Sequence, residues 1–231
     1  MNNTRRALLV HGAGGGAWEW NLWRGVFRAQ GIEVDAFELR PAPAGLAATA
    51  LHDYLGQVRA ALRAMPRPRV LVGASLGGLL ALLAADEADA LVLVNPLPPA
   101  PWHVRLPARE WPDVVRWQGD ARLASTRRAM HDADDASALF AFRHWRDESG
   151  AVLREAHAGV AADRPACPVL LIASAQDDDV PPAVAAAMAD AWEASLLRTA
   201  STSHVGPLLG RDATRIAAQA AAWLDGLSMT V

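Results

Sequence analysis

The sequence contains no lysine. All 22 basic side chains in the 231 residues are arginines, and the net charge is −3. Chemistry that needs a lysine side chain in the active site is therefore excluded. The arginines are dispersed among carboxylates and form no basic tract, so we expect no nucleic acid partner.

Cysteine and long hydrophobic runs are also scarce. The single cysteine, Cys167, excludes an intramolecular disulfide. No apolar stretch approaches the roughly 18–20 residues needed to span a bilayer. The run Ala7–Val10 is too short for the core of a signal peptide. These features lead us to expect a cytoplasmic protein with no membrane partner.

Short apolar runs alternate with longer helical patterns along most of the chain, which predicts parallel strands joined by crossover helices. Six strands are predicted, at Ala7–Val10, Glu33–Phe37, Arg69–Gly73, Ala90–Val94, Val169–Ala173 and Ser195–Thr199. Apolar residues at three- and four-residue spacing predict helices at Trp18–Gln30, Leu51–Met65, Leu76–Ala85, Ala183–Trp192 and Asp212–Leu227.

Residues 96–163 interrupt this alternation. They begin with a proline-rich segment and contain no convincing β pattern, which predicts a helical insertion after the fourth strand, between core segments 1–95 and 164–231. Tryptophans and prolines suit a lid with an apolar lining, although tryptophan often serves packing alone. The candidates for substrate contact are Trp102, Trp111, Trp117 and Trp145.

Ser75 lies at a predicted strand-to-helix corner, in the motif Gly73-Ala74-Ser75-Leu76-Gly77. Glycines two residues before and after the serine avoid collisions in so sharp a turn. A G-x-S-x-G string also arises from composition alone, but a random copy seldom has a strand before it and an apolar helix after it. The motif therefore indicates a nucleophile elbow and covalent hydrolysis.

A serine nucleophile needs a histidine as base and a carboxylate to orient that histidine. His204 follows the last predicted strand in a loop of small residues and is the candidate base. Three consecutive carboxylates, residues 177–179, follow the preceding strand, and at most one of them can point at His204. A solvated turn is the alternative for this acidic run.

The oxyanion of the reaction needs two preorganised N–H donors. The elbow supplies one at Leu76, and the glycine-rich loop after the first strand, His11–Trp18, is expected to supply the other. Such a loop could instead cradle phosphate, but it lacks the Lys-Ser/Thr ending of a P-loop and the acid of a dinucleotide site. We therefore expect no cofactor and no metal.

With these residues in place, the chain resembles the α/β-hydrolase superfamily over nearly its whole length, in the chain order Ser, Asp, His. The resemblance implies a mostly parallel sheet of about six strands flanked by helices, with a helical lid. It selects Asp177, because the family acid usually stands three residues before a Val-Pro pair. It also selects Ala13 as second oxyanion donor, with Gly14 as a fallback and a substrate contact.

The loop Val10–Trp20 is similar to the opening of the plant methyl-esterase and hydroxynitrile-lyase group and its bacterial relatives. The lyases of that group use a lysine, which this chain lacks. The resemblance implies a serine hydrolase acting on a small-molecule ester or thioester with a small to medium apolar acyl group. The alternatives are a triad-bearing acyltransferase, C–C hydrolase or lyase, and a receptor-like binding protein with negligible turnover.

Overall fold

The fold is built on one parallel sheet, seen in a computed structural model that describes residues 5–227. In space the strand order is β2-β1-β3-β4-β7-β8, and every neighbouring pair is parallel. The strands in chain order are β1 (Arg6–Val10), β2 (Glu33–Phe37), β3 (Arg69–Ala74), β4 (Ala90–Val94), β5 (Val114–Val115), β6 (Glu148–Ser149), β7 (Val169–Ser174) and β8 (Ser195–Thr199).

The helices alternate with the sheet strands except within the insertion, where three α-helices occur, and after β8, where two α-helices follow in succession up to Asp225. Within residues 5–227, every helix falls short of the combined length and apolarity that a bilayer crossing requires. The α-helices are α1 (Asn21–Ala29), α2 (Leu51–Ala64), α3 (Leu76–Leu83), α4 (Leu123–Ala129), α5 (Asp135–His144), α6 (Gly150–Ala158), α7 (Pro182–Trp192), α8 (Gly206–Leu209) and α9 (Ala213–Asp225).

Both faces of the sheet are buried, because successive strand residues point to opposite sides. Leu8 and Leu71 belong to one core cluster with apolar side chains of α2, α3 and α7. Leu9 and Val72 belong to a second cluster with side chains of α1 and α9. This two-sided burial explains why the strands are near-continuous apolar runs in the sequence.

The predicted α/β fold class is confirmed, with six parallel strands between two helical layers. Three predicted strands have the observed bounds, and the other three are one residue longer in the structure. The helix expected from Trp18 begins instead with a 3-10 turn, Ala17–Trp20, before α1 starts at Asn21.

The expectation that residues 96–163 contain no strand is wrong. Val114 pairs with Ser149 and Val115 with Glu148 in a two-stranded antiparallel sheet. Strands of two residues are too short to show alternation in a sequence. Because all six strands of the main sheet are parallel, the loops after β1, β3, β7 and β8 emerge at the same edge, and the insertion lies between β4 and β7 in the chain.

Candidate active site

Ser75 occupies the corner between β3 and α3. Its backbone has φ +51° and ψ −118°, a conformation that costs roughly 1–3 kcal/mol and persists only where the surroundings enforce it. A Cβ on Gly73 would overlap the Gly77 carbonyl group, and a Cβ on Gly77 would overlap the Val10 carbonyl oxygen. Both glycines are therefore sterically required at this corner.

His204 and Asp177 meet at the ends of β8 and β7. The Nδ1 atom of His204 lies 2.7 Å from the Asp177 Oδ2 atom. The other carboxylate oxygen, Oδ1, accepts hydrogen bonds from the backbone N–H groups of Asp179 (2.8 Å) and Val180 (3.0 Å). Of the three consecutive carboxylates, Asp177 is the buried one, and Asp178 is exposed.

The environment of His204 favours the imidazolium form. Burial alone would lower its pKa, but the hydrogen bond to Asp177 and the charge of that carboxylate outweigh burial and raise the pKa above the ordinary value. The Asp177 contact also fixes the ring: with Nδ1–H donating to the carboxylate, Nε2 is the nitrogen that can accept a proton.

Ser75 and His204 line the same cavity. Among residues 5–227 no hydrogen bond joins the Ser75 hydroxyl to the imidazole or to any other side chain. Contacts between nucleophile and base are often long in a free enzyme and tighten when substrate binds.

Asn95, directly after β4, holds the loop that carries His204. Its backbone φ is +40°, and its side-chain N–H₂ group donates to the His204 carbonyl oxygen (2.6 Å) and to the Ser174 hydroxyl (2.9 Å). The Asn95 side-chain oxygen accepts from the Ser174 backbone N–H at 2.9 Å. Asn95 therefore connects the end of β4 to the end of β7 and to the backbone of His204.

Asp132, between α4 and α5 of the insertion, holds the same loop from the other side. Its carboxylate accepts hydrogen bonds from the backbone N–H groups of Thr202 (2.8 Å) and Ser203 (3.2 Å) and from the Ser203 hydroxyl (2.6 Å). These are the two residues that precede His204 in the chain. Residues of the insertion thus help to position the candidate base.

The loop after β1, residues 12–16, is called the oxyanion loop below. A Cβ on Gly12 would lie 3.2 Å from the Ser75 Cβ, so this loop passes directly beside Ser75. Ala13 lines the cavity. Within residues 5–227, the N–H groups of Ala13 and of Leu76, the first residue of α3, have no protein acceptor. Both predicted donors are available to a ligand.

Gly14 lies outside the cavity, contrary to the substrate contact and fallback donor role expected for it. Its N–H donates to the buried Glu148 carboxylate at 3.0 Å, and its φ of +66° and the adjacent Trp117 ring leave no room for a side chain. The Gly14 carbonyl accepts from the Arg146 backbone N–H (2.7 Å), and the Arg146 Nε–H donates to Gly15 (2.6 Å). Gly14 therefore anchors the loop to the insertion.

Glu19 is a buried carboxyl group of the same cavity and has no role in the sequence-based prediction. Its Oε2 atom accepts a hydrogen bond from the Gly12 N–H at 3.1 Å. Burial raises the pKa of Glu19 to about 7, against the lowering influence of that hydrogen bond and of His204. The signal available in the sequence is a lone carboxylate between two aromatic residues, Trp18 and Trp20, where a helix begins.

The cavity has a volume of about 500 Å³. Three of the four predicted tryptophans, Trp111, Trp117 and Trp145, line it. Trp102 does not: its ring packs edge-on against Trp192 at a centroid distance of 5.3 Å, beside the core cluster of α2, α3 and α7. The substrate contact expected for Trp102 is therefore corrected to a packing role.

One group of three side chains in the described part of the chain could offer ligands to a metal ion: Asp177, Asp179 and His204. Asp177 and His204 are hydrogen-bonded to each other, and Asp179 forms an ion pair with Arg109 of the insertion. These contacts already supply each of the three with a partner.

Comparison with known proteins identifies a family and a set of similar folds. The model of the alpha/beta hydrolase family matches residues 7–219, and no curated protein matches the sequence. Polyneuridine aldehyde esterase is 16% identical, with a TM-score of 0.74 over 96% of this chain and 100% of its own.

Two further solved structures are similar to this chain. Methylesterase MES16 from Arabidopsis is 16% identical, with a TM-score of 0.71 over 96% of this chain and 99% of its own. A pyrethroid hydrolase from Sphingobium faniae JZ-2 is 20% identical, with a TM-score of 0.72 over 96% of this chain and 98% of its own. At these identities the likeness shows a shared fold.

Proposed function

Because the chain is an enzyme of the alpha/beta hydrolase family, we propose that it is a serine hydrolase that cleaves an ester or thioester of a small to medium apolar acyl group. The observation that carries this proposal is the hydrogen bond between His204 and the buried Asp177, because His204 lines the same cavity as Ser75. No metal or cofactor takes part in the proposed reaction.

Acylation is the first half of the proposed mechanism. The Ser75 hydroxyl oxygen attacks the substrate carbonyl carbon while His204 Nε2 accepts the hydroxyl proton. Asp177 stabilises the imidazolium that forms, and the N–H groups of Ala13 and Leu76 donate to the oxyanion. His204 then gives its proton to the leaving alcohol or thiol, and the acyl group remains as an ester on Ser75.

Deacylation repeats these roles with water as the nucleophile. His204 removes a proton from a water molecule, which attacks the acyl-Ser75 ester through a second oxyanion at the same two donors. The proton passes to the Ser75 oxygen as the intermediate collapses. The products are a carboxylic acid and the free enzyme.

The cavity supports an apolar acyl group of modest size. Its volume of about 500 Å³ is within the range of small-molecule sites. Apolar side chains of the insertion and of the core, including Trp111, Trp145 and Leu208, line it. An ester substrate also agrees with the names of the similar structures, which include two esterases and a pyrethroid hydrolase.

The Ser75→Ala variant tests the proposal. We expect hydrolysis of p-nitrophenyl acetate and butyrate to fall by several orders of magnitude. A fluorophosphonate should phosphonylate the parent with loss of fluoride, so that the mass of the phosphonyl group is added to the parent and not to the variant. The control is Ser195→Ala, at the start of β8 and remote from the carboxyl ends of the strands, which should retain the parent rate. Equal ester hydrolysis by the parent and Ser75→Ala would refute the assignment.

Product analysis distinguishes ester hydrolysis from the alternative reactions. Release of a carboxylic acid and an alcohol or thiol supports hydrolysis. A transferred acyl group or a cleaved carbon–carbon bond would replace the proposal by one of the alternative reactions. Labelling of Ser75 without turnover of any ester in a panel of graded acyl length would indicate a binding protein.

A further inference from the structure

Glu19 lines the same cavity as Ser75 and His204, although the proposed mechanism does not use it. We propose that Glu19 is a positioning residue that works as a neutral carboxylic acid: it fixes the oxyanion loop through Gly12, and its ionisation slows the reaction at Ser75. This inference rests on the proposed function.

The contacts of Glu19 place it directly behind the oxyanion loop. Its Oε2 atom accepts the hydrogen bond from the Gly12 N–H, and its Oε1 atom occupies the space that a Cβ on Gly15 would take. Gly12 precedes Ala13, whose N–H is the proposed oxyanion donor. The other side of Gly12 faces Ser75. Glu19 and Ser75 therefore lie on two sides of the same short stretch of backbone.

The surroundings favour the neutral form. Glu19 is 2% exposed. Among residues 5–227, its carboxyl group accepts one hydrogen bond, from the Gly12 N–H, and no cation forms an ion pair with it. A buried carboxylate ordinarily needs several donors or a paired cation. The higher pKa that burial gives Glu19, about 7, agrees with this geometry.

Three charged or titratable groups on other elements act electrostatically on the pKa of Glu19: His204 after β8, Arg146 from the insertion, and Glu38 after β2. Arg146 is engaged in an ion pair with Glu38 and donates to backbone carbonyl oxygens of the loops. His204 must be neutral to act as a base. An ionised Glu19 therefore has no free cation nearby in the active state of the site.

Ionisation of Glu19 slows the reaction for two reasons. Its charge lies next to the loop where the oxyanion forms, and like charges repel in a site of low dielectric. The same charge also raises the pKa of His204, so that the base keeps its proton to higher pH. We expect kcat/KM to rise as His204 loses its proton and to fall again, roughly tenfold or more, as Glu19 ionises.

Two substitutions of Glu19 distinguish the effect of its hydrogen bond to Gly12 from the effect of its ionisation. Glu19→Gln keeps an oxygen acceptor for the Gly12 N–H and cannot ionise. It should lose the alkaline fall in rate, and its acidic limb should move to lower pH. Glu19→Leu removes the acceptor and should lower the rate roughly tenfold to a hundredfold throughout the pH range. The control is Glu33→Gln, at the start of the edge strand β2, whose profile should match the parent.

The experiment measures two rates between roughly pH 5 and pH 10: kcat/KM for p-nitrophenyl acetate and the rate constant for labelling by a fluorophosphonate. Ser75→Ala serves as the blank. An alkaline fall in the parent that is absent in Glu19→Gln supports the inference. It is overturned if the parent shows no fall, if Glu19→Gln keeps it, or if Glu19→Gln is as impaired as Glu19→Leu.

Circular dichroism checks that each variant is folded, and if Glu19→Leu fails to fold, the Glu19→Gln profile alone decides. A parent that is labelled no faster than Ser75→Ala refutes the proposed function, and this inference with it. A parent that is labelled normally but shares its pH profile with Glu19→Gln refutes only the role of Glu19.

Discussion

Replacing Asp177 by asparagine tests the proposed role of this buried carboxylate in orienting His204. Asparagine keeps an oxygen that can accept from the Asp179 and Val180 N–H groups, as the carboxylate does. Its N–H₂ group, however, would face His204 Nδ1, which is 2.7 Å from Asp177 Oδ2. Because two donors cannot face each other, the imidazole adopts the tautomer that carries its proton on Nε2, and that tautomer cannot accept the Ser75 proton.

We expect kcat for p-nitrophenyl butyrate to fall about 10⁴-fold in Asp177→Asn, equivalent to about 5.5 kcal/mol in the activation barrier. Burst titration with a fluorophosphonate and initial-rate kinetics measure the loss, and thermal unfolding verifies the fold. The matched control is Asp178→Asn, because that neighbour is exposed; it should remain within about twofold of the parent. Comparable losses in both variants, or a loss below tenfold in Asp177→Asn, would refute this reasoning.

Gly56→Ala should raise Tm, because a Cβ there meets open space in the middle of α2 and alanine is favoured over glycine by about 0.5–1 kcal/mol in a helix. Gly77→Ala should prevent folding, because its Cβ would overlap the backbone at the end of β1. Melting curves measure both outcomes. A folded Gly77→Ala variant, or an unchanged Tm for Gly56→Ala, would contradict these predictions. Trp111→Ala should change the ratio of kcat/KM between butyrate and acetate esters, whereas Trp102→Ala should lower Tm and leave that ratio unchanged. An unchanged ratio in Trp111→Ala would contradict the cavity assignment.

The sheet could be predicted closely because its strands are buried on both faces. Runs such as Arg69–Ala74 and Ala90–Val94 are apolar at nearly every position, and each is followed by a polar residue. The alternation of apolar runs and helical patterns indicated that the strands are parallel, as they are in the structure. The residues expected at the carboxyl ends of β7 and β8 do meet there, since parallel strands end at the same edge. Their catalytic roles remain predictions.

The residues missed by the sequence act across long separations. Asp132 contacts a loop some 70 positions away, and Glu148 contacts Gly14 at a separation of 134. No periodicity or motif in the sequence indicates such contacts, because each contact depends on how the insertion packs against the core. The same reason applies to Trp102, because only its packing against Trp192, which the sequence does not show, distinguishes it from the tryptophans that line the cavity.

The polar contacts of Asp132 and Glu148 make the insertion a poor candidate for wholesale exchange between family members. A chimaera that replaces residues 96–163 deprives the backbone around Gly14 and before His204 of its acceptors, unless the graft brings equivalent carboxylates. Single substitutions at residues that line the cavity, such as Trp111, can change the substrate range while both carboxylates stay in place. The residues that shape the cavity are therefore distinct from the carboxylates that hold the loops around Gly14 and His204.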